Sequence, residues 1–394
     1  MKEQCPPMQH PPRHRTGQLR AFAASLLVVL LLTTGCSRFR PKILTTEYVY
    51  VTAKQTFLRD RIAAVSNRTG IVNNGDKLAV LEHGRRFLRV KTAKNEIGWI
   101  DEKAVATQAV ADTFLKLADD HAKEASVASA VVRDEVYLHI KPGRETERFY
   151  RLAEGDKLQL IARATLPKAL PPGQAPPKPP PPKPGEPIPA PLPPAMEDWW
   201  LVRDAQRHSG WIYSRMIDVD APDTLTRYAE GQRFVGAYIL TTVNDPEAPQ
   251  DNKDIPIYLT VLSPYRAGLP FDFDQVRLFT WSTKMHRYET GFREKNIEGY
   301  LPVKIGKAKD PNGKSAMAQT ELPSFTYKVL AADSAPAVPD PETGLVTPGK
   351  LISKTWRLEG NSVHRILDPG QDPRQEQARP EPSPEKSKKG KKKK

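Results

Sequence analysis

One stretch of this 394-residue chain occurs twice. Gly75-Asp76-Lys77-Leu78 returns 80 positions later as Gly155-Asp156-Lys157-Leu158, and on the same offset Phe57-Leu58 becomes Tyr137-Leu138. Further on, Phe87-Leu88-Arg89-Val90-Lys91 matches Trp199-Trp200-Leu201-Val202-Arg203, and Gly98-Trp99-Ile100 matches Gly210-Trp211-Ile212, both now offset by 112. The offset grows by 32, so the second copy carries an insertion between two of its strands. Such a repeat constrains the fold strongly: whatever the first copy builds, the second must build too, with one loop enlarged. A duplicated small module is more often a binding unit than a catalyst.

Within the first copy, Leu78 and Val80 alternate with polar neighbours, as do Leu88 and Val90, the period of half-buried strands. Asn73-Asn74-Gly75-Asp76 signals a turn, because Asn and Gly tolerate positive φ. Gly98 marks a close backbone approach. Between the copies, Glu102 to Ser126 is rich in Ala, Leu and charged residues and places Val110, Phe114, Leu117 and His121 at helical spacing, which predicts a connecting helix. The second copy spans about Val131 to Asp218. Its insert, Pro167 to Pro194, holds fifteen prolines in 28 residues. It cannot donate a strand ladder and is expected as an extended polyproline-like loop, more a stiff spacer or an inert loop expansion than a docking peptide for aromatic grooves.

The region from Thr224 to Asp368 matches neither repeat. It reads as strands at Phe234–Val243, Ile257–Ser263, Val276–Trp281, His286–Phe292, Tyr300–Ile305, Phe325–Leu330 and Lys354–Leu367, the last broken at Glu359-Gly360-Asn361. The expected chain is therefore mainly β. Two tandem small barrels (45–105 and 128–220, the second with its insert at 167–194) are joined by a helix (106–127). A β-sandwich or barrel follows (224–368), then a disordered basic tail (369–394).

The N-terminus reads as a signal peptide over 1–35. Lys2, Arg13, Arg15 and Arg20 precede the apolar run Ala21–Leu32, which is short of the roughly 20 residues a spanning helix needs. The ending Thr33-Thr34-Gly35-Cys36 resembles the lipobox of bacterial lipoproteins, with Thr33 where that pattern prefers Leu. The resemblance implies lipidation at Cys36, with 36–44 as a tether and the protein facing the periplasm or cell exterior. Cys5 and Cys36 are the only cysteines, so processing leaves no disulfide and no cysteine nucleophile. The mature chain would carry +11, of which seven charges are lysines in the tail Lys386–Lys394. The high isoelectric point belongs to that tail, and for an exported protein no nucleic-acid partner is expected.

The order of features in each copy resembles the bacterial Src-homology-3-like (SH3b) domain, a small open barrel common in cell-envelope proteins. It runs from Leu58 or Leu138 through Gly-Asp-Lys-Leu and an aromatic strand start at Phe87 or Trp199 to Gly-Trp-Ile. Phe87 stands where that family often has Trp, and the first copy lacks the usual Arg-x-Gly-Pro, of which Lys141-Pro142-Gly143 is a relic. The resemblance implies ligand binding, often to peptidoglycan peptides, in a groove between loops. If Leu88 and Val90 face the core, Phe87 and Arg89 face out, and by offset so do Trp199 and Leu201. Phe87, Trp99, Trp199 and Trp211 are thus the ligand-binding candidates, although a small barrel also needs aromatics simply to fill its core.

Catalytic signals are weak. His83, His121, His139, His208, His286 and His364 are dispersed, with no metal-ligand spacing, and no nucleophile elbow or phosphate loop occurs. Asp272 and Asp274, with Glu289, form the one conceivable carboxylate set, at a turn entering a strand. The expectation is a non-catalytic, cofactor-free and metal-free envelope lipoprotein, membrane-held by its lipid. Its barrels would bind peptidoglycan or, in the alternative, other envelope proteins as a structural or assembly component.

Overall fold

The structure, a computed structural model, describes residues 47–170, 173 and 194–376. The expected signal peptide, the tether with Cys36, most of the proline insert and the lysine tail lie outside the described residues. The described chain is mainly β, in three antiparallel sheets of seven strands.

The first sheet contains β1 (Tyr48–Val51), β2 (Gln55–Arg59), β3 (Arg68–Asn73), β4 (Lys77–His83), β5 (Phe87–Lys91), β6 (Ile97–Asp101) and β7 (Val105–Thr107). The second contains β8 (Ala128–Val132), β9 (Val136–His139), β10 (Arg148–Leu152), β11 (Lys157–Pro167), β12 (Met196–Arg203), β13 (Ser209–Tyr213) and β14 (Ile217–Val219). The first is ordered β3-β2-β6-β5-β4-β1-β7 and the second β10-β9-β13-β12-β11-β8-β14, the same order strand for strand. The duplication read in the sequence is a duplication of topology, and the insert joins β11 to β12.

The repeated residues are explained by this shared frame. Gly75 and Gly155 sit at φ +87° and +83°, which only Gly adopts without strain. One residue on, Asp76 Oδ2 accepts from the Asn73 amide at 2.8 Å, and Asp156 Oδ2 accepts from the Ala153 amide at 2.7 Å. A Cβ on Gly98 would lie 2.7 Å from Leu58 Cβ, and one on Gly210 would lie 2.7 Å from Leu138 Cβ. Leu58, Leu78, Ile100, Leu138, Leu158 and Ile212 are all buried core residues. Most of the repeated signature is thus turn, close approach and core.

Helix α1 (Gln108–Asp120) joins the copies, and Phe114, wholly buried, packs against Phe149 and Tyr150 of the second sheet. Val105–Thr107 belongs to the first sheet through its pairing with β1, so the helix begins two residues later than its expected start at 106. The copies also touch directly. Asn74, in the predicted turn, donates to the Phe149 carbonyl at 3.1 Å and accepts from the Arg151 amide at 3.1 Å, while Tyr50 meets Phe149 edge-on.

The third sheet is one continuous meander: β15 (Gln232–Asn244), β16 (Asp254–Pro264), β17 (Phe273–Ser282), β18 (Arg287–Ala308), β19 (Leu322–Leu330), β20 (Leu351–Glu359) and β21 (Ser362–Ile366). Of the two expected forms, sandwich or barrel, the region is nearer the barrel: it is a single sheet that curls until β15 approaches β18 and β19. The two strands expected at 286–292 and 300–305 are one long strand: at Asn296, which takes a positive φ, the ladder to β17 shifts register, and from Gly299 onward the strand pairs with β19. Phe273, Val276, Leu278, Phe325 and Tyr327 fill its interior. The sheet is fixed to the second repeat by Arg163 on Asp272 at 2.8 Å, by Tyr238 on the Val127 carbonyl at 3.0 Å, and by a bridge between Ala164 and Leu345.

Residues 369–376, expected as the start of a disordered tail, instead fold back. Pro373–Gln375 forms a 3-10 turn, Glu376 bridges to Ala331, and its carboxylate meets Arg365 and, at 3.1 Å, Lys354.

Candidate functional site, the outer face of the first repeat

Trp99 lies on β6 between β2 and β5. The antiparallel register sets Arg59 directly opposite it on one side and Arg89 on the other. Cross-strand partners share a face, so the outer surface carries the row Arg59–Trp99–Arg89, with Phe87 and Asp101 paired on the next rung. Trp99 and Phe87 are half-buried and both arginines are exposed.

Two loops border the row. Asp60 to Asn67 is closed by the Asp60 carboxylate, which accepts from the Asn67 amide at 2.9 Å and from its side chain at 3.0 Å. Desolvation alone would raise the Asp60 carboxyl, but these bonds and the Arg61 charge hold it below its ordinary value. The turn at Gly84 meets this loop over the indole: a Cβ there would sit 3.2 Å from Trp99 Cζ3 and 3.3 Å from Ile62 Cδ1. Ile62 and Val65 are 49% and 82% exposed, and Arg61, Arg85 and Arg86 are exposed beside them. Arg59 donates to Ser66 Oγ at 2.8 Å, and Arg89 meets Glu82 at 3.5 Å through a well-exposed pair, which leaves both guanidinium groups much of their donor capacity. An apolar, half-open floor ringed by arginines suits a ligand with carboxylates on a compact body.

The second repeat uses the same positions differently. The row there is His139–Trp211–Leu201, and the next rung is Trp199–Tyr213. Trp211, Leu201 and Trp199 are 7%, 0% and 1% exposed, in a cluster that Leu117 of α1 joins. The period-two argument placed Trp199 and Leu201 on the outside, and they do point away from their own sheet's core, but neighbouring elements cover that outside. As ligand-binding candidates, Trp199 and Trp211 have no surface to offer. Arg144 from the Ile140–Glu147 loop closes the edge: its Nη2 lies 2.7 Å from Glu197 Oε1, and its guanidinium sits over the Tyr213 ring. By the repeat offset, Glu197 and Asp198 correspond to Arg85 and Arg86. The charge has inverted. The Arg59–Arg89 bracket could have been found in the sequence only by knowing the β2–β6 register.

The remaining candidates separate. Asp272 takes Arg163 and the Leu301 amide, Asp274 takes Gln232, and Glu289 pairs with Arg287. Each has its own partner, and no shared reaction centre joins them. Among the described residues no three His, Cys, Asp or Glu side chains converge as a metal would need, and no helix is long and apolar enough to cross a membrane.

No family model and no curated protein matches the chain. A solved structure, that of NlpC2 from Trichomonas vaginalis, is similar at TM-score 0.15 and 9% identity, over 47% of this chain and 54% of that one. The chain thus spans about half the length of that protein, and so remote a likeness assigns no role.

Proposed function

We propose that the protein is a non-catalytic cell-envelope lipoprotein, anchored through Cys36, whose first repeat binds a carboxylate-bearing wall peptide of peptidoglycan. The observation that carries this reading is the contrast between the two copies. One fold presents Arg59–Trp99–Arg89 to solvent in the first and a sealed apolar cluster in the second. An indole flanked by two guanidinium groups offers a stacking floor and two carboxylate forks, and core filling requires neither arginine. The second repeat then serves as scaffold, tying the binding module to the third sheet.

Sedimentation of the full chain with purified sacculi tests this. The parent should pellet, and Trp99→Ala and Arg59→Ala/Arg89→Ala should each leave most protein in the supernatant. Absence of pelleting by the parent would discard wall binding, leaving protein partners as the remaining reading. Pelleting unchanged in both variants would discard this face.

A further inference from the structure

Strands β8 and β14 of the second repeat and β15 of the third sheet, with the turn at Tyr265–Ala267, enclose a cavity of about 350 Å³. We propose that it binds a small organic anion: a carboxylate or phosphate carried on a planar, ring-bearing body. The inference does not rest on the first-repeat face. Two of its lining positions, Trp200 and Tyr213, correspond by offset to Leu88 and Asp101 in the first copy, so the cavity is no part of the repeated design.

Charge is the first argument. Arg133, Arg215, Arg233 and Arg266 line the cavity, against Asp218 as its one acidic lining residue. Arg133 and Asp218 approach to 3.7 Å, but both side chains are about two-thirds exposed, where a pair neutralises little. Arg215 and Arg266 are exposed and form no ion pair among the described residues.

Arg233 is the sharper case. Its side chain is 24% exposed, its Nη2 stands 3.6 Å from Asp198 Oδ2, and its buried Nε has no hydrogen-bond partner among the described residues. Asp198 Oδ1 accepts from Thr165 Oγ1 at 2.7 Å and from the Gly268 amide at 3.1 Å, with Arg163 at 3.8 Å, while its buried Oδ2 faces Arg233 beyond hydrogen-bond reach and has no hydrogen-bond partner among the described residues. Burial, opposed by Asp198 and reinforced by repulsion from Arg163, weakens the hold of Arg233 on its proton. A buried cationic donor left short of acceptors is costly, and a ligand oxygen would supply the acceptor.

Shape is the second argument. Trp200, Phe234 and Tyr265 are the aromatic residues lining it whose rings are not taken up by the Arg144 latch, and Tyr265 is 72% exposed, open to stacking. The volume lies at the lower end of small-molecule sites, room for a ring with a charged group, and a bare inorganic anion would leave most of it unfilled.

Isothermal titration calorimetry on the full chain at low salt, with phenyl phosphate, benzoate, inorganic phosphate and phenol, tests the proposal. Phenyl phosphate and benzoate should bind saturably, inorganic phosphate at least tenfold more weakly, and phenol without measurable heat. Arg215→Glu/Arg266→Glu, at exposed positions that leave the circular dichroism spectrum unchanged, should weaken phenyl phosphate at least tenfold. Tyr265→Ala should bring it toward the level of inorganic phosphate. No saturable heat with either aryl anion, affinity unchanged in the arginine variant, or phenol binding as tightly as phenyl phosphate would each overturn it.

Discussion

Arg144 grips Glu197 through two nitrogens, Nε at 3.0 Å and Nη2 at 2.7 Å from the same Oε1, and so latches one loop of the second repeat to the start of β12. Glu197 is 4% exposed while Arg144 is half in solvent. Replacing Arg144 by Ala leaves a buried carboxylate without its forked donor, which should cost roughly 1.5–3 kcal/mol. Arg85→Ala, at the equivalent exposed position to Glu197 in the first repeat, should change stability by less than about 0.5 kcal/mol. Urea unfolding of both variants checks the pair.

The two aromatic strand starts should differ as sharply. Trp199→Ala empties a fully buried site and should cost about 3–5 kcal/mol. Phe87→Ala removes a half-buried ring and should cost about 1 kcal/mol. Equal losses would show that the outer faces of the two repeats are covered alike.

The repeated glycines separate two kinds of requirement. Gly98→Ala and Gly210→Ala drive a methyl into a leucine Cβ across the sheet and should cost about 1–3 kcal/mol. Gly75→Ala and Gly155→Ala meet open space and should cost only about 1–2 kcal/mol, through positive φ alone. Asparagine should therefore be better tolerated than alanine at 75 and 155, and worse at 98 and 210. Melting the eight single variants in parallel decides it.

His139 stands where the first repeat has Arg59. Burial, with the nearby Arg148 charge, pushes its pKa below the ordinary value, the Thr146 bond opposing. The folded state thus favours neutral imidazole and binds fewer protons than the unfolded chain. Its contribution is complete above about pH 6.5 and is lost as pH falls below that toward the folded pKa. His139→Gln should flatten the stability profile in that window, as read from urea midpoints against pH.

How much of this was legible in the sequence follows from range. Gly75-Asp76 and Gly155-Asp156 announced their turns because a positive-φ glycine and its capping carboxylate act within four residues. The strands of the third sheet were legible for the same reason, from alternation and turn chemistry, apart from the long β18. Trp199 takes the side that alternation assigns it, yet it is buried, because alternation tells which side of a strand a residue takes and nothing about what covers that side. Leu117 and the latch at Arg144 come from other elements. Arg59 and Arg89 flank Trp99 only through pairing across three strands, and no local pattern records such a row. Arg233 and Arg215 meet at one cavity only because the third sheet docks on the second.

The apolar interiors are divided unevenly. Val49, Leu58, Leu78, Val90 and Ile100 form a cluster confined to the first repeat, while the cluster containing Phe114 and Leu138 runs unbroken through the second repeat to Phe325 and Leu358. Cooperativity should follow that partition, with the first repeat melting as one transition and everything from α1 onward as another. A ligand stabilises only the unit that holds it. The transition that moves to higher temperature on adding wall peptide, or an aryl anion, will therefore identify the occupied site without any mutation.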